Sequence, residues 1–77
     1  MNVKIETEID GVVWGRGLRG NTASVSAVMK MNGIIIFHSE MPIWNLDGFD
    51  FENLDEEKWT NELIRDFGLH LNRSKND

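Results

Sequence analysis

Residues 10–33 read DGVVWGRGLRGNTASVSAVMKMNG, and the way this stretch turns decides the fold. It holds three dipeptides, Asp10-Gly11, Gly20-Asn21 and Asn32-Gly33, of the kind that two-residue hairpin loops require. Gly, Asn and Asp supply the positive φ of type I′ and II′ turns at little steric cost. Between the dipeptides, apolar and polar residues alternate with the period of half-buried strands.

Treating each dipeptide as a loop predicts a register. Ile9 opposes Val12, Trp14 opposes Ala27, and Met29 opposes Ile36. Opposed residues share a face and faces alternate along a strand. One face therefore gathers Val3, Ile5, Ile9, Val12, Trp14, Leu18, Ala23, Val25, Ala27, Met29, Met31, Ile34 and Ile36, and is the expected core. The other holds Lys4, Glu6, Glu8, Gly15, Gly17, Ser24, Ser26 and Ser39. It also holds an apolar group at one end, Val13, Val28, Ile35 and Phe37.

Further along, Asp47-Gly48 is a fourth turn signal and would open a short fifth strand over residues 49–51, with Pro42 breaking the strand that enters it. The rival reading there is an aromatic-rich loop leading into a helix. From Leu54 to Phe67, Trp59, Leu63, Ile64 and Phe67 fall on one helical arc. Asn53 or Asp55 can cap its start, and Gly68 is placed as a stop. The expected fold is α+β: an antiparallel β-meander of four to five strands, curved at Gly15 and Gly17 to the point that a barrel-like closure is conceivable. One C-terminal amphipathic helix packs on one face. Residues 1–71 form the domain, and residues 72–77 a flexible tail.

The chain has 77 residues, no cysteine and a net charge of −5. A single core at this size only just stabilises a fold. The charge is uneven. Residues 1–39 carry a net +1, residues 40–66 a net −7 and residues 67–77 a net +1. Without clustered Lys and Arg, non-specific nucleic acid binding is not expected. No membrane span is expected either, the longest apolar run being Ile34 to Phe37. The alternating N-terminus is not a secretory signal, so a cytoplasmic location is the default.

Four groups of residues are candidates for function. Gly15-Arg16-Gly17-Leu18-Arg19-Gly20 has the spacing of the G-x-G-x-x-G dinucleotide fingerprint. That motif needs a helix next, whereas Thr22, Ser24, Val25, Ser26 and Val28 favour a strand. Arg16, His38 and Glu40 fall on the expected core face, where a histidine near a carboxylate can serve a ligand pocket. No catalytic residue is assigned, since no nucleophile–base pair and no metal set can be assembled. No metal and no cofactor are expected. The acidic run Asp47, Asp50, Glu52, Asp55, Glu56 and Glu57 and the apolar group Val13, Val28, Ile35 and Phe37 are candidate protein-binding surfaces.

The resulting expectation is a small non-catalytic protein-binding or regulatory module of the inhibitor type. It would act through the acidic loop and helix start and through the apolar sheet patch, on a protein partner or as a homodimer. The alternative is a small-ligand or nucleotide-binding domain using Gly15, Gly17 and Gly20 with Arg16, His38 and Glu40.

Overall fold

A computed structural model describes the backbone of residues 2–76 and the side chains of residues 2–73. Three strands, β1 (Ile5–Gly17), β2 (Gly20–Met31) and β3 (Ile34–Pro42), precede one helix, α1 (Glu56–Asn76). The strands form an antiparallel meander in the order β1-β2-β3, with α1 laid on one face. The class is α+β. The sheet is open, with β1 and β3 as its edges, so it does not close into a barrel.

Three strands replace the expected four or five because Asp10-Gly11 is a bulge and not a turn. Ile9 pairs with Ala27 and Gly11 with Ser26, leaving Asp10 as the extra residue. Gly11 has φ +133°, a conformation that glycine adopts freely. A two-residue hairpin and a one-residue bulge have the same effect on facing: both put Ile9 and Val12 on one side. The expected core face therefore survives a wrong account of how the chain got there.

The next turn lies two residues earlier than its signal. Gly17 pairs with Gly20 across Leu18 and Arg19, so Trp14 opposes Ala23 and Val12 opposes Val25. The register slips from the expected one by an even number, which leaves every side chain on its face. Asn32-Gly33 turns as expected. Both residues have positive φ, 52° and 84°, as a type I′ loop requires, and Met31 opposes Ile34.

A second bulge then changes the faces of β3. Ile35 pairs with Lys30 but Phe37 pairs with Met29, so Ile36 is the extra residue. Phe37, Ser39 and Met41 turn to the helix side, here the front. His38 and Glu40 turn to the back.

β2 has a neighbour on each side and is the most buried strand. Ala23, Val25, Ala27 and Met29 join Met41, Ile43, Trp59 and Leu63 in the core. Large residues of β1 sit opposite alanines of β2, Trp14 by Ala23 and Ile9 by Ala27. These alanines leave room for the helix over the middle of the sheet.

After Pro42 the chain makes one more ladder-like bond, from the Ile43 N–H to the Ala23 carbonyl at 2.9 Å, and then leaves the sheet. No fifth strand forms over residues 49–51. The Phe49 N–H turns back to the Leu46 carbonyl at 3.4 Å, and just beyond this stretch the Asp50 carboxylate accepts the backbone N–H groups of Glu52 and Asn53, at 3.1 and 3.2 Å. Such an Asx turn bends the chain toward the start of α1. Asp55 caps α1, accepting the Lys58 N–H at 3.1 Å. The helix does not stop at Gly68 but continues to Asn76. The tail expected from Asn72 is thus helical as far as Asn76, and Asp77 lies outside the described residues.

Candidate protein-binding surface

α1 runs antiparallel to β3. Trp59 and Leu63 enter the core, and Phe67 and His70 meet Phe37 with ring centroids 5.4 and 5.3 Å away. The Ser39 hydroxyl donates to the Asp66 carboxylate at 2.9 Å and ties the helix to β3. The loop between β3 and α1 covers a different part of the front. Phe51 stacks on Trp14 at 5.1 Å, and Phe49 joins Phe51 (4.8 Å) to Trp59 (6.1 Å). Helix and loop together cover the middle of the front face, and on its β1–β2 hairpin side the loop touches Trp14, which stays 58% exposed.

The other end of the front face is bare. Ile5, Met31 and Ile34 oppose one another in one row across all three strands. They are 52%, 40% and 69% exposed. The row lies one step beyond the row of Thr7, Met29 and Phe37, where the helix makes its last ring contacts with the sheet. On the helix, Ile64 and Leu71 are spaced i and i+7 and are half exposed. At 100° per residue they lie on the flank opposite Leu69, which neighbours Met41 and Pro42 on the β3 side. Their flank therefore faces the β1 half of the sheet.

Register rearranges the expected patch of Val13, Val28, Ile35 and Phe37. Phe37 lies under α1 because of the bulge at Ile36. Val28 is only 7% exposed. Val13 and Ile35 remain exposed on the back, but they oppose Ser24 and Lys30, six residues apart on β2. At about 3.4 Å per residue that is roughly 20 Å. The structure does not bring these four residues together.

Between them the back face is polar and internally paired. Lys30 Nζ reaches Glu8 at 2.9 Å and Lys4 reaches Glu6 at 3.1 Å. The hydrogen bond and charge of Glu8 hold the Lys30 ammonium above the ordinary lysine value. Ser26 and His38 share a hydrogen bond of 2.9 Å.

The ligand cluster of Arg16, His38 and Glu40 is likewise dispersed. Arg16 opposes Asn21 near the tip of the β1–β2 hairpin and shares the front with Trp14. His38 and Glu40 lie on the back of β3, opposite Val28 and Ser26. Gly15, Gly17 and Gly20 belong to the same hairpin, and Gly20 opens a strand where a dinucleotide site needs a helix. Gly15 and Gly17 have a packing role. A Cβ at Gly15 would stand 2.9 Å from Thr22 Oγ1, and one at Gly17 would stand 3.2 Å from Thr22 Cγ2.

All six acidic candidates are exposed. Two of them shape the chain. Asp55 caps α1, and Asp50 holds the loop; hydrogen bonds, first from the Asn53 side chain, keep its carboxyl below the ordinary aspartate value. Glu56 and Glu57 stand in the first helical turn, where the macrodipole favours them. Asp47 and Glu52 complete the group on the loop. Among the described residues there is no group of three or more His, Cys, Asp or Glu side chains arranged to hold a metal ion, and no helix is long and apolar enough to cross a membrane.

The row of Ile5, Met31 and Ile34 escaped sequence reasoning because its members look like core. Only the position of α1, set by Phe37 turning inward, leaves them uncovered. Comparison with protein-family models, with curated proteins and with solved structures finds no match to this chain.

Proposed function

We propose that this chain is a small non-catalytic protein-binding module whose binding surface is the bare end of the front face. The observation that carries the reading is the amount of apolar side chain left in solvent. Thirteen large apolar residues are exposed among the described residues, and Ile5, Met31 and Ile34 form an unbroken row of them. Single exposed apolar residues are ordinary on any surface, whereas contiguous groups mark interaction sites. The acidic residues stand near the opposite end of α1, where they shape the loop and form a solvated rim.

The test is affinity capture from the native host with chemical crosslinking, using the wild-type chain and an Ile5→Asp/Ile34→Asp variant as baits. Both positions are exposed, so the variant should keep the fold, which circular dichroism checks. Protein crosslinked to the wild type and lost from the variant supports the reading. Identical crosslinked proteins on both baits overturn it.

A further inference from the structure

We propose that the occupant of this surface is a second copy of the same chain, so that the folded unit is a dimer joined through the row of Ile5, Met31 and Ile34. The inference rests on the protein-binding reading and names its partner. Size supplies the first argument. The chain exposes 6238 Å², where a compact monomer of 8.9 kDa exposes about 4,800 Å². The surplus is about 1,400 Å² summed over the whole chain, and the row of Ile5, Met31 and Ile34 holds part of it. Obligate homodimers hide roughly 1,000 Å² or more on each partner, so the surplus is of the size that a stable dimer removes.

Shape agrees with area. The radius of gyration is 14.2 Å and the extents are 47 × 32 × 17 Å. A compact chain of this length has a radius of about 11.5 Å. The molecule is a slab whose second layer is one helix and one loop, and that layer leaves the row of Ile5, Met31 and Ile34 exposed. Chains this small commonly supplement a limited core by oligomerisation.

Charge permits a second copy at this face. Two chains of net charge −5 repel unless they meet on neutral ground. The row, with Ile64 and Leu71 beside it, is aliphatic throughout. The acidic loop of residues 47–57 sits at the far end of α1 and stays apart from such a contact. A twofold contact must also be self-complementary, and an apolar row meeting itself satisfies that without specific charge pairing.

The sheet edges favour face-to-face joining over strand addition. Both edge strands carry a bulge, at Asp10-Gly11 in β1 and at Ile36 in β3. β1 also presents Glu6 and Glu8, and β3 ends at Pro42. Bulges, charges and proline are the devices that stop edge strands from pairing with other chains.

Sedimentation and small-angle X-ray scattering on the full chain test the proposal. Isotope-filtered NMR on a mixture of labelled and unlabelled chains supplies a readout independent of any variant. The expected result is a particle of twice 8.9 kDa with intermolecular contacts from the Met31 methyl group to Ile5 or Ile34. Ile34→Asp and Leu71→Asp should each weaken dimerisation at least tenfold. Leu18→Asp, at the exposed hairpin tip, should leave it unchanged. A monomer that keeps a radius near 14 Å overturns the second copy and leaves the surface to a different protein. A monomer near 11.5 Å, having closed the face with its own chain, overturns both readings. A dimer without Met31 contacts overturns this placement of the interface.

Discussion

Asn32 and Lys4 exchange two hydrogen bonds of 2.9 Å: the Lys4 N–H donates to the Asn32 side-chain oxygen, and the Asn32 N–H donates to the Lys4 carbonyl. The turn that joins β2 to β3 therefore also holds the start of β1, and it fixes the end of the sheet where the bare row lies. Its two functions separate by mutation. Asn32→Gly keeps the positive φ and loses the side-chain acceptor, at a cost of about 1 kcal/mol. Asn32→Ala loses both and should cost about 1 kcal/mol more, since alanine resists the left-handed conformation. Urea unfolding of the two variants checks the order; equal stabilities would show that the turn conformation carries no strain.

Two glycines with open space around them should respond in opposite directions. Gly68 lies inside α1 without positive φ, and a Cβ there meets nothing within 4 Å. Gly68→Ala should stabilise the chain by about 0.5–1 kcal/mol. Gly11 is equally open but has φ +133°, so Gly11→Ala should destabilise it by about 1 kcal/mol or more. If Gly68→Ala destabilises instead, the helix ends where the glycine first suggested it would.

Much of the fold was legible for a definite reason: facing depends only on parity. The Asp10-Gly11 bulge and the displaced Leu18-Arg19 turn both preserve it, so Ile9, Val12, Trp14, Val25 and Met29 stand where alternation puts them. Dipeptide chemistry cannot tell a turn from a bulge, because both need only a residue tolerant of positive φ. That cost the strand count. The bulge at Ile36 left no signal, because Ile34 to Phe37 is apolar throughout and has no alternation to break. It moved Phe37 inward and His38 outward, and with the displaced Leu18-Arg19 turn, which sets Val13 opposite Ser24 and Arg16 opposite Asn21, it dissolved both expected side-chain clusters.

The Gly15–Thr22 contact predicts an energetic coupling. Gly15→Ala brings a Cβ to within 2.9 Å of Thr22 Oγ1 and should destabilise the hairpin by about 1–3 kcal/mol. Adding Thr22→Ala should recover most of that loss, giving a clear interaction term in a double-mutant cycle. Strict additivity would mean that the glycine serves something other than this packing. NAD should leave the melting temperature unchanged, whereas a true dinucleotide site would raise it.

Asp50 sets a local pH dependence. Its pKa is lowered, chiefly by the hydrogen bond from the Asn53 side chain and with further help from the Glu52 and Asn53 N–H groups. A lowered carboxyl pKa contributes stability above the ordinary aspartate value and loses it as pH falls through the lowered one. The Glu52 and Asn53 amide resonances should therefore shift together below the usual aspartate range. Asp50→Asn should abolish that titration. Amides that titrate at the ordinary aspartate position would contradict the bonded loop.

The concentration dependence of the melting temperature tests the central claim most directly. If the row of Ile5, Met31 and Ile34 is buried by a second copy, folding and association are linked by mass action. The melting temperature of the wild-type chain must then rise steadily across a hundredfold increase in protein concentration, and Ile34→Asp must flatten the rise. A wild-type melting temperature that stays constant over that range would show that the bare face is not closed by another copy of the chain.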